Sequence, residues 1–158
     1  MCIRDSYLTV TDSIFSARIE RDEWGVPHIY GKRDADVSFG LAYAHAQDDY
    51  ETMKDVVYAL RGQLASIYGR NAAVNDYYVH LMNFWDMVEE RYETDVPNDV
   101  KRICEGYAAG INKFLLDFPD KKKKTFQPVT AKDIVAGFSH RMPLMFGLDG
   151  VLKNYQKM

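Results

Sequence analysis

The sequence has little cysteine, almost no net charge and no long apolar run. Each of these absences argues against one class of protein. The 158 residues carry a formal net charge of −3, so composition gives no support for a general nucleic-acid or anionic-membrane role. No apolar run approaches the roughly 20 residues of a membrane span. A hydrophobic share of 47% is ample for a core, so the composition favours a globular domain.

Cysteine occurs only as Cys2 and Cys104. Residues 1–6, MCIRDS, back-translate to the transposase end sequence left by a common sequencing-library preparation, and we predict that they are an adapter artefact. Residues 7–158 are then the protein part, which we expect to be truncated at its C-terminus because VLKNYQKM stops without a cap or a closing pattern. Cys104 would be the remaining thiol, predicted to be packed and inert, and one thiol cannot form an internal disulfide.

The first quarter of the chain carries the strand signals. Residues 13–20 alternate loosely between polar and apolar, and a Gly-x-Pro sequence within residues 24–30 excludes a helix there. Together they predict a strand or hairpin pair at an edge. Asp34 can then cap a helix whose apolar positions recur at helical spacing as far as Leu60, and Gly62 marks its end.

Three more helices follow in the pattern, which gives a mainly α fold with a short N-terminal β segment. One is predicted from about residue 72 to 93, and one begins at Asn98 as capping residue and stops before Pro119. The last begins at Thr130, with Asp133 completing a capping box, and Pro143 should bend or break it near residues 139–141. The second of these three is expected to bury one apolar stripe: Val100, Ile103, Tyr107, Ile111, Phe114, Leu115 and Phe118.

Three motifs in fixed order carry a family resemblance. Residues 21–29 read R-D-x-x-G-V-P-H-I, and residues 34–48 read D-A-x-x-x-x-G-x-x-x-A-x-x-x-D. Residues 59–69, ALRGQLASIYG, contain an R-G-x-L-A segment. From about Ser16 onward the chain resembles the opening of a penicillin acylase family precursor, a family that includes acyl-homoserine lactone acylases.

The resemblance implies a fragment of an αββα N-terminal nucleophile hydrolase. In such a precursor, self-cleavage exposes a serine at the start of the β-chain, and that serine attacks the amide carbonyl with its own α-amine as base. The expected partners are therefore the missing β-chain and a small N-acyl amide substrate, such as an acyl-homoserine lactone or a penicillin, with no nucleic acid. No catalytic residue is assigned to this chain, which alone should be inactive, and the full-length protein is expected to be periplasmic or secreted.

Residues 133–149 resemble the family segment that contacts the acyl group. There a helix presents a Met and then a Phe, with an Arg just before the Phe. Met142 and Phe146 fall on the Met and Phe, and Met145 stands where the Arg would be. The resemblance therefore implies a substrate-binding set of Met142, Met145 and Phe146 that suits an aliphatic acyl chain. The alternative is that Met142 and Phe146, four residues apart on a helix, are ordinary core residues.

Metal and cofactor signals are weak. No H-x-x-x-H or C-x-x-C occurs, and His28 is more simply a strand histidine than an acid or base. Some family members hold a structural calcium with a Glu that here corresponds to about Leu152, so that ligand is not matched, and Asp149 alone would not make a site. We expect no cofactor and no metal site in this chain, with calcium possible in the full-length protein. The acidic residues Asp48, Asp49, Glu51 and Asp55 are predicted to be a solvated or lysine-paired surface.

Two alternatives remain open at this point. The chain could be a non-enzymatic helical binding module with an apolar groove, which its composition permits. Alternatively, removal of Met1 would make Cys2 an N-terminal thiol nucleophile. The adapter hypothesis explains all six residues from 1 to 6, whereas the nucleophile hypothesis explains Cys2 alone.

Overall fold

The computed structural model describes residues 7–148 and residue 150. Three strands come first, β1 (Tyr7–Thr11), β2 (Ser16–Arg21) and β3 (Pro27–Gly31). Six α-helices follow, α1 (Asp34–Leu60), α2 (Ala65–Tyr68), α3 (Ala73–Leu81), α4 (Phe84–Asp95), α5 (Asn98–Asp117) and α6 (Ala131–Pro143). Short 3-10 turns lie at Gly69–Ala72 and Pro119–Lys121, and a π turn lies at Leu144–Leu148. The mainly α class with an N-terminal β segment is confirmed. No helix within the described ranges is long and apolar enough to cross a membrane.

The chain forms two compact units. The first contains Met1–Tyr50 and Pro97–Ala131, and the second contains Glu51–Val96 and Lys132–Met158. Helix α1 passes from one unit to the other, and Asp49 interrupts it there with φ −150° and ψ 62°. The sequence predicted one uninterrupted helix because apolar residues recur at helical spacing on both sides of Asp49.

In the first unit, an antiparallel sheet of order β1-β2-β3 packs its inner face on α1. Ile19 pairs with Leu8 on one side and with Ile29 on the other. A Cβ added at Gly40 of α1 would lie 2.6 Å from Ala17 Cβ and 2.7 Å from Ile29 Cγ2. The glycine of the second motif is therefore required for close approach of the helix to the sheet. The predicted pair of strands is present, and β1 is an additional strand that the sequence pattern did not predict.

Helix α5 packs on α1 through its glycines. A Cβ at Gly106 would lie 2.2 Å from the carbonyl oxygen of Ala35, and a Cβ at Gly110 would lie 2.3 Å from that of Phe39. The two helix backbones are therefore in direct contact, and the buried face of α5 follows the glycines. It contains Cys104, Gly106, Ala108, Gly110, Ile111, Phe114 and Leu115.

Two expectations for α5 are corrected by this packing. Val100, Ile103 and Phe118 of the predicted stripe are 37–40% exposed, because the small-residue face turns toward α1 and displaces them. Asn98 is the first helical residue and not the cap, a position held by Pro97 without a side-chain bond. Cys104 is buried, and burial raises the pKa of its thiol, as expected for a packed and inert cysteine.

In the second unit, the predicted single helix over residues 72–93 is wrong. Asn83 adopts the left-handed conformation, φ 52° and ψ 39°, and separates α3 from α4. Asparagine tolerates this conformation better than most side chains, so it ends one helix and begins the next. The turn places Phe84 against Tyr78 and Val79 in one cluster and lets Trp85 Nε1 donate to the Leu60 carbonyl at 2.9 Å.

The predicted break in α6 is misplaced. The helix continues to Pro143 as its last residue, and the chain then forms the π turn, in which Gly147 has φ 97°. Proline lacks the N–H that would bond one turn back, but a helix that ends at proline loses only that one bond. The change of direction therefore falls after Pro143 and not at residues 139–141.

Candidate functional site

An ion pair holds the first two motifs together. Arg21 of β2 donates from Nη2 to Asp48 Oδ1 at 2.7 Å and from Nη1 to Asp48 Oδ2 at 3.2 Å. The same Nη1 donates to the carbonyl of Gly25 at 2.8 Å. The ends of both motifs thus meet at the sheet–helix junction, and their charged residues are engaged in structure.

A second pair fixes the start of α1. The Asp36 carboxylate is buried and accepts from Arg33 Nη2 at 2.7 Å, Arg33 Nε at 2.9 Å and the backbone N–H of Ser16 at 3.2 Å. The hydrogen bonds from Arg33 lower the pKa of Asp36 to about 2 despite burial. The carboxylate is therefore ionised throughout the physiological range.

The arginine of the third motif forms a buried pair in the second unit. Arg61 donates from Nε to Asp133 Oδ1 at 2.7 Å and from Nη2 to Asp133 Oδ2 at 2.8 Å. Asp133 is 1% exposed, and it was predicted only as a capping partner of Thr130. Both of its oxygens accept hydrogen bonds from Arg61, so the arginine of this motif joins the end of α1 to α6.

The three residues predicted to contact an acyl group lie on one short segment. Met142 is on α6, and Met145 and Phe146 are on the π turn that follows it. They are 50%, 69% and 83% exposed, respectively. The described residues therefore do not bury these three side chains. Their role in substrate binding stays a prediction.

Two leucines anchor the π turn beneath these side chains. Leu144 and Leu148 pack against the buried cluster of Tyr78, Val79 and Phe84. Phe146 is midway between the two leucines in sequence and is exposed. The turn thus has two positions that face the protein interior and two adjacent apolar positions, Met145 and Phe146, that face outward.

His140 supports the same segment from inside. Its Nε2 donates to Asn75 Oδ1 at 3.1 Å, and Asn75 Nδ2 in turn donates to the Ala59 carbonyl at 2.8 Å. The imidazole packs edge-on against Tyr78 at 5.4 Å between ring centroids, and Tyr78 Oη donates to the His140 carbonyl at 3.1 Å. Burial, and then the charge of Arg141, lower the pKa of His140. No local sequence pattern predicts this role, because the partner Asn75 is 65 residues away.

The other candidate residues have structural surroundings. His28 on β3 lies 3.2 Å from Asp22 Oδ2 and is half exposed. Glu51 and Asp55 both face Lys54, which is buried, so the lysine-paired interpretation of this acidic surface is confirmed for them. Within the described part of the chain, no three His, Cys, Asp or Glu side chains are grouped to hold a metal. Residues 1–6, Asp149 and Leu152 lie outside that part.

The known proteins that this chain is similar to are acylases by name. Acyl-homoserine lactone acylase PvdQ of Pseudomonas fluorescens is 28% identical over 64% of this chain and 14% of its own length. Penicillin acylase 2 proenzyme of a Pseudomonas species is 32% identical over 62% of this chain and 12% of its own length. The solved penicillin G acylase of Alcaligenes faecalis is 26% identical with a TM-score of 0.69, covering 82% of this chain and 73% of that one.

The chain therefore spans about an eighth of the length of these curated relatives. Residues 16–151 match the penicillin amidase family model. This range begins at β2, contains all three motifs, and starts where the resemblance was placed from the sequence. The chain belongs to the penicillin amidase family, the family of the penicillin acylases.

Proposed function

We propose that this chain is the N-terminal α-chain part of an acylase precursor that hydrolyses N-acyl amides such as acyl-homoserine lactones or penicillins. The family assignment and the relatives' names support the reaction class. The observation that carries the proposal is the anchored π turn, which leaves Met145 and Phe146 outward at 69% and 83% exposure. Exposed aromatic and thioether side chains on a fixed turn are available for contact with an apolar group.

The chemistry of amide hydrolysis indicates which groups the α-chain and the β-chain would each supply. Amide hydrolysis needs a nucleophile, a base and donors to the oxyanion, which we assign to the β-chain and its terminal serine. An α-amine has an unperturbed pKa of roughly 8, so it can accept the serine proton near neutrality. The α-chain then supplies scaffold and acyl contacts, and its partner is the β-chain of the same precursor. We propose no cofactor for the reaction, and an exported location in the periplasm or outside the cell.

The chemistry of the three side chains favours an aliphatic acyl group. Met142, Met145 and Phe146 carry no charge, and Met145 replaces the arginine expected at its position. An unbranched thioether adapts to chains of different length. Long-chain N-acyl amides are therefore the proposed substrates.

The test compares the complete precursor with the 158-residue chain. Purified precursor is assayed on N-acyl-homoserine lactones of increasing acyl length and on penicillin G. Burying a phenyl side chain against the acyl group contributes about 2 kcal/mol, so Phe146→Ala should lower kcat/KM for long-chain substrates roughly thirtyfold. Trp24→Ala is the matched control, because Trp24 is 82% exposed in the first unit.

The outcomes separate the possibilities. We expect the 158-residue chain alone to show no turnover. Hydrolysis by that chain alone would contradict the assignment of catalysis to the β-chain. Equal chain-length preference in the Phe146→Ala and Trp24→Ala precursors would contradict the acyl-contact role. Saturable binding of an apolar ligand by the chain, with no hydrolysis by the precursor, would favour a binding module instead.

A further inference from the structure

A cavity in the first unit is independent of the acyl-contact segment. It has a volume of about 660 Å³ and lies where the outer face of the sheet meets the start of α1. Thr9, Arg18 and Tyr30 form one row across the three strands of its wall, since Thr9 pairs with Arg18 and Arg18 pairs with Tyr30. Lys32 and Arg33 complete the basic part of the lining.

The charges around this cavity are not balanced. It is lined by three basic side chains, Arg18, Lys32 and Arg33, and by one carboxylate, Asp36. Asp36 is satisfied by Arg33 and the Ser16 N–H, as described above. Glu20 forms an ion pair with Arg18, with 3.3 Å between Arg18 Nε and Glu20 Oε1.

The unused donors belong to two side chains. Among the residues that the structure describes, Lys32 has no hydrogen-bond or ion-pair partner, and Arg18, whose ion-pair partner is Glu20, makes no hydrogen bond. The Arg18 guanidinium lies over the Tyr30 ring, 4.8 Å from its centroid, which restricts its orientation. A guanidinium held in this way presents a fixed pair of donors, and an ammonium group presents a mobile point charge.

We propose that this cavity binds a phosphate dianion, either free or as the head of a small phosphate monoester. Lys32 has no ion-pair partner and the Arg18–Glu20 pair is partly exposed, so a ligand with two negative charges is favoured over a monocarboxylate because each cationic group can contact one of its charges. A tetrahedral phosphate also has enough oxygens to reach Arg18, Lys32 and the Thr9 hydroxyl together. Ile14 and the Tyr30 ring provide apolar wall for an organic substituent.

The experiment titrates the 158-residue chain with inorganic phosphate, phenyl phosphate and acetate at low ionic strength, followed by backbone amide chemical shifts and calorimetry. We expect saturable phosphate binding with shifts at residues 9, 18 and 30–33, and weaker binding as salt is added. If phenyl phosphate binds more tightly than inorganic phosphate, the natural ligand is a phosphate monoester. If phenyl phosphate binds equally or more weakly, the natural ligand is free phosphate.

Variants distinguish the cavity from general anion attraction. An exposed charge contact contributes about 1 kcal/mol, so Lys32→Gln and Arg18→Gln should each weaken phosphate binding about fivefold. Lys122→Gln removes the same charge from an exposed loop outside the cavity and should leave the affinity unchanged. Acetate binding as tight as phosphate, shifts elsewhere in the chain, or equal weakening by Lys122→Gln and Lys32→Gln would overturn the proposal.

Discussion

Replacement of Asp133 by asparagine tests whether the Arg61–Asp133 pair determines the stability of the second unit. Asp133 is 1% exposed, and the side chain of Arg61 is 13% exposed, so the substitution leaves an arginine charge largely out of water without its carboxylate. Loss of one partner from a buried pair costs about 3–5 kcal/mol. Because Arg61 retains some access to solvent, we expect a value near the lower end, about 3 kcal/mol.

The assay is urea unfolding of the 158-residue chain, followed by tryptophan fluorescence from Trp85 of the second unit in a Trp24→Phe background. The control is Asp95→Asn in the Arg91–Asp95 pair, which has a similar 2.9 Å separation but side chains that are 63% and 51% exposed. Exposed pairs contribute at most about 1 kcal/mol, so the control should change the unfolding free energy only slightly. An Asp133→Asn cost no larger than that of Asp95→Asn would refute the argument from burial.

A combined substitution separates the cost of a buried Arg61 charge without Asp133 from the cost of the lost hydrogen bonds. Arg61→Met together with Asp133→Leu removes both charges and retains apolar volume. Replacement of a buried ion pair by apolar residues is often neutral or stabilising. We expect the double variant to be more stable than Asp133→Asn, and a lower stability would show that the lost hydrogen bonds, and not the buried Arg61 charge without Asp133, dominate the cost.

Three further predictions concern other parts of the chain. Gly110→Ala should destabilise the first unit by about 3 kcal/mol in urea unfolding, since its Cβ would meet the Phe39 oxygen at 2.3 Å, whereas Gly137→Ala, with its nearest atom at 3.6 Å, should be neutral or stabilising. The pKa of Asp36 is lowered to about 2, so its contribution to the free energy of unfolding is present above pH 4 and is lost as the pH falls toward 2. Asp36→Asn should therefore reduce the loss of unfolding free energy between pH 4 and pH 2, and an unchanged loss in the variant would contradict this prediction. The pKa of His140 is also lowered, so protonation favours the unfolded state and the free energy of unfolding should fall as the pH drops below about 6.5. His140→Gln should remove this pH dependence, and the same dependence in the variant would contradict the assignment to His140.

Local signals in the sequence predicted the elements that depend on local chemistry. The Gly-x-Pro sequence excluded a helix before β3, Gly62 ended α1, and Pro119 followed the end of α5. Each signal acts through the backbone of its own residue, so no distant partner is needed.

Features that depend on distant partners were not predictable. The stripe of α5 was assigned from side-chain size, and the buried face instead follows Gly106 and Gly110, whose effect exists only against α1. The Arg61–Asp133 pair joins residues 72 apart, and the His140–Asn75 contact joins residues 65 apart. The left-handed Asn83 was missed because the apolar pattern continues across it. In the candidate site, the family resemblance implied Met142, Met145 and Phe146, whose substrate-binding role stays a prediction, and only the structure identified the leucines that anchor their segment.

The π turn separates residues that hold the fold from residues that can vary. Leu144 and Leu148 attach it to the interior, whereas Met145 and Phe146 contribute little to the buried surface of the described chain. Substitutions at the outward positions should therefore carry almost no folding penalty. Under the proposed function, selection could alter substrate preference at these two codons without first acquiring compensatory mutations elsewhere.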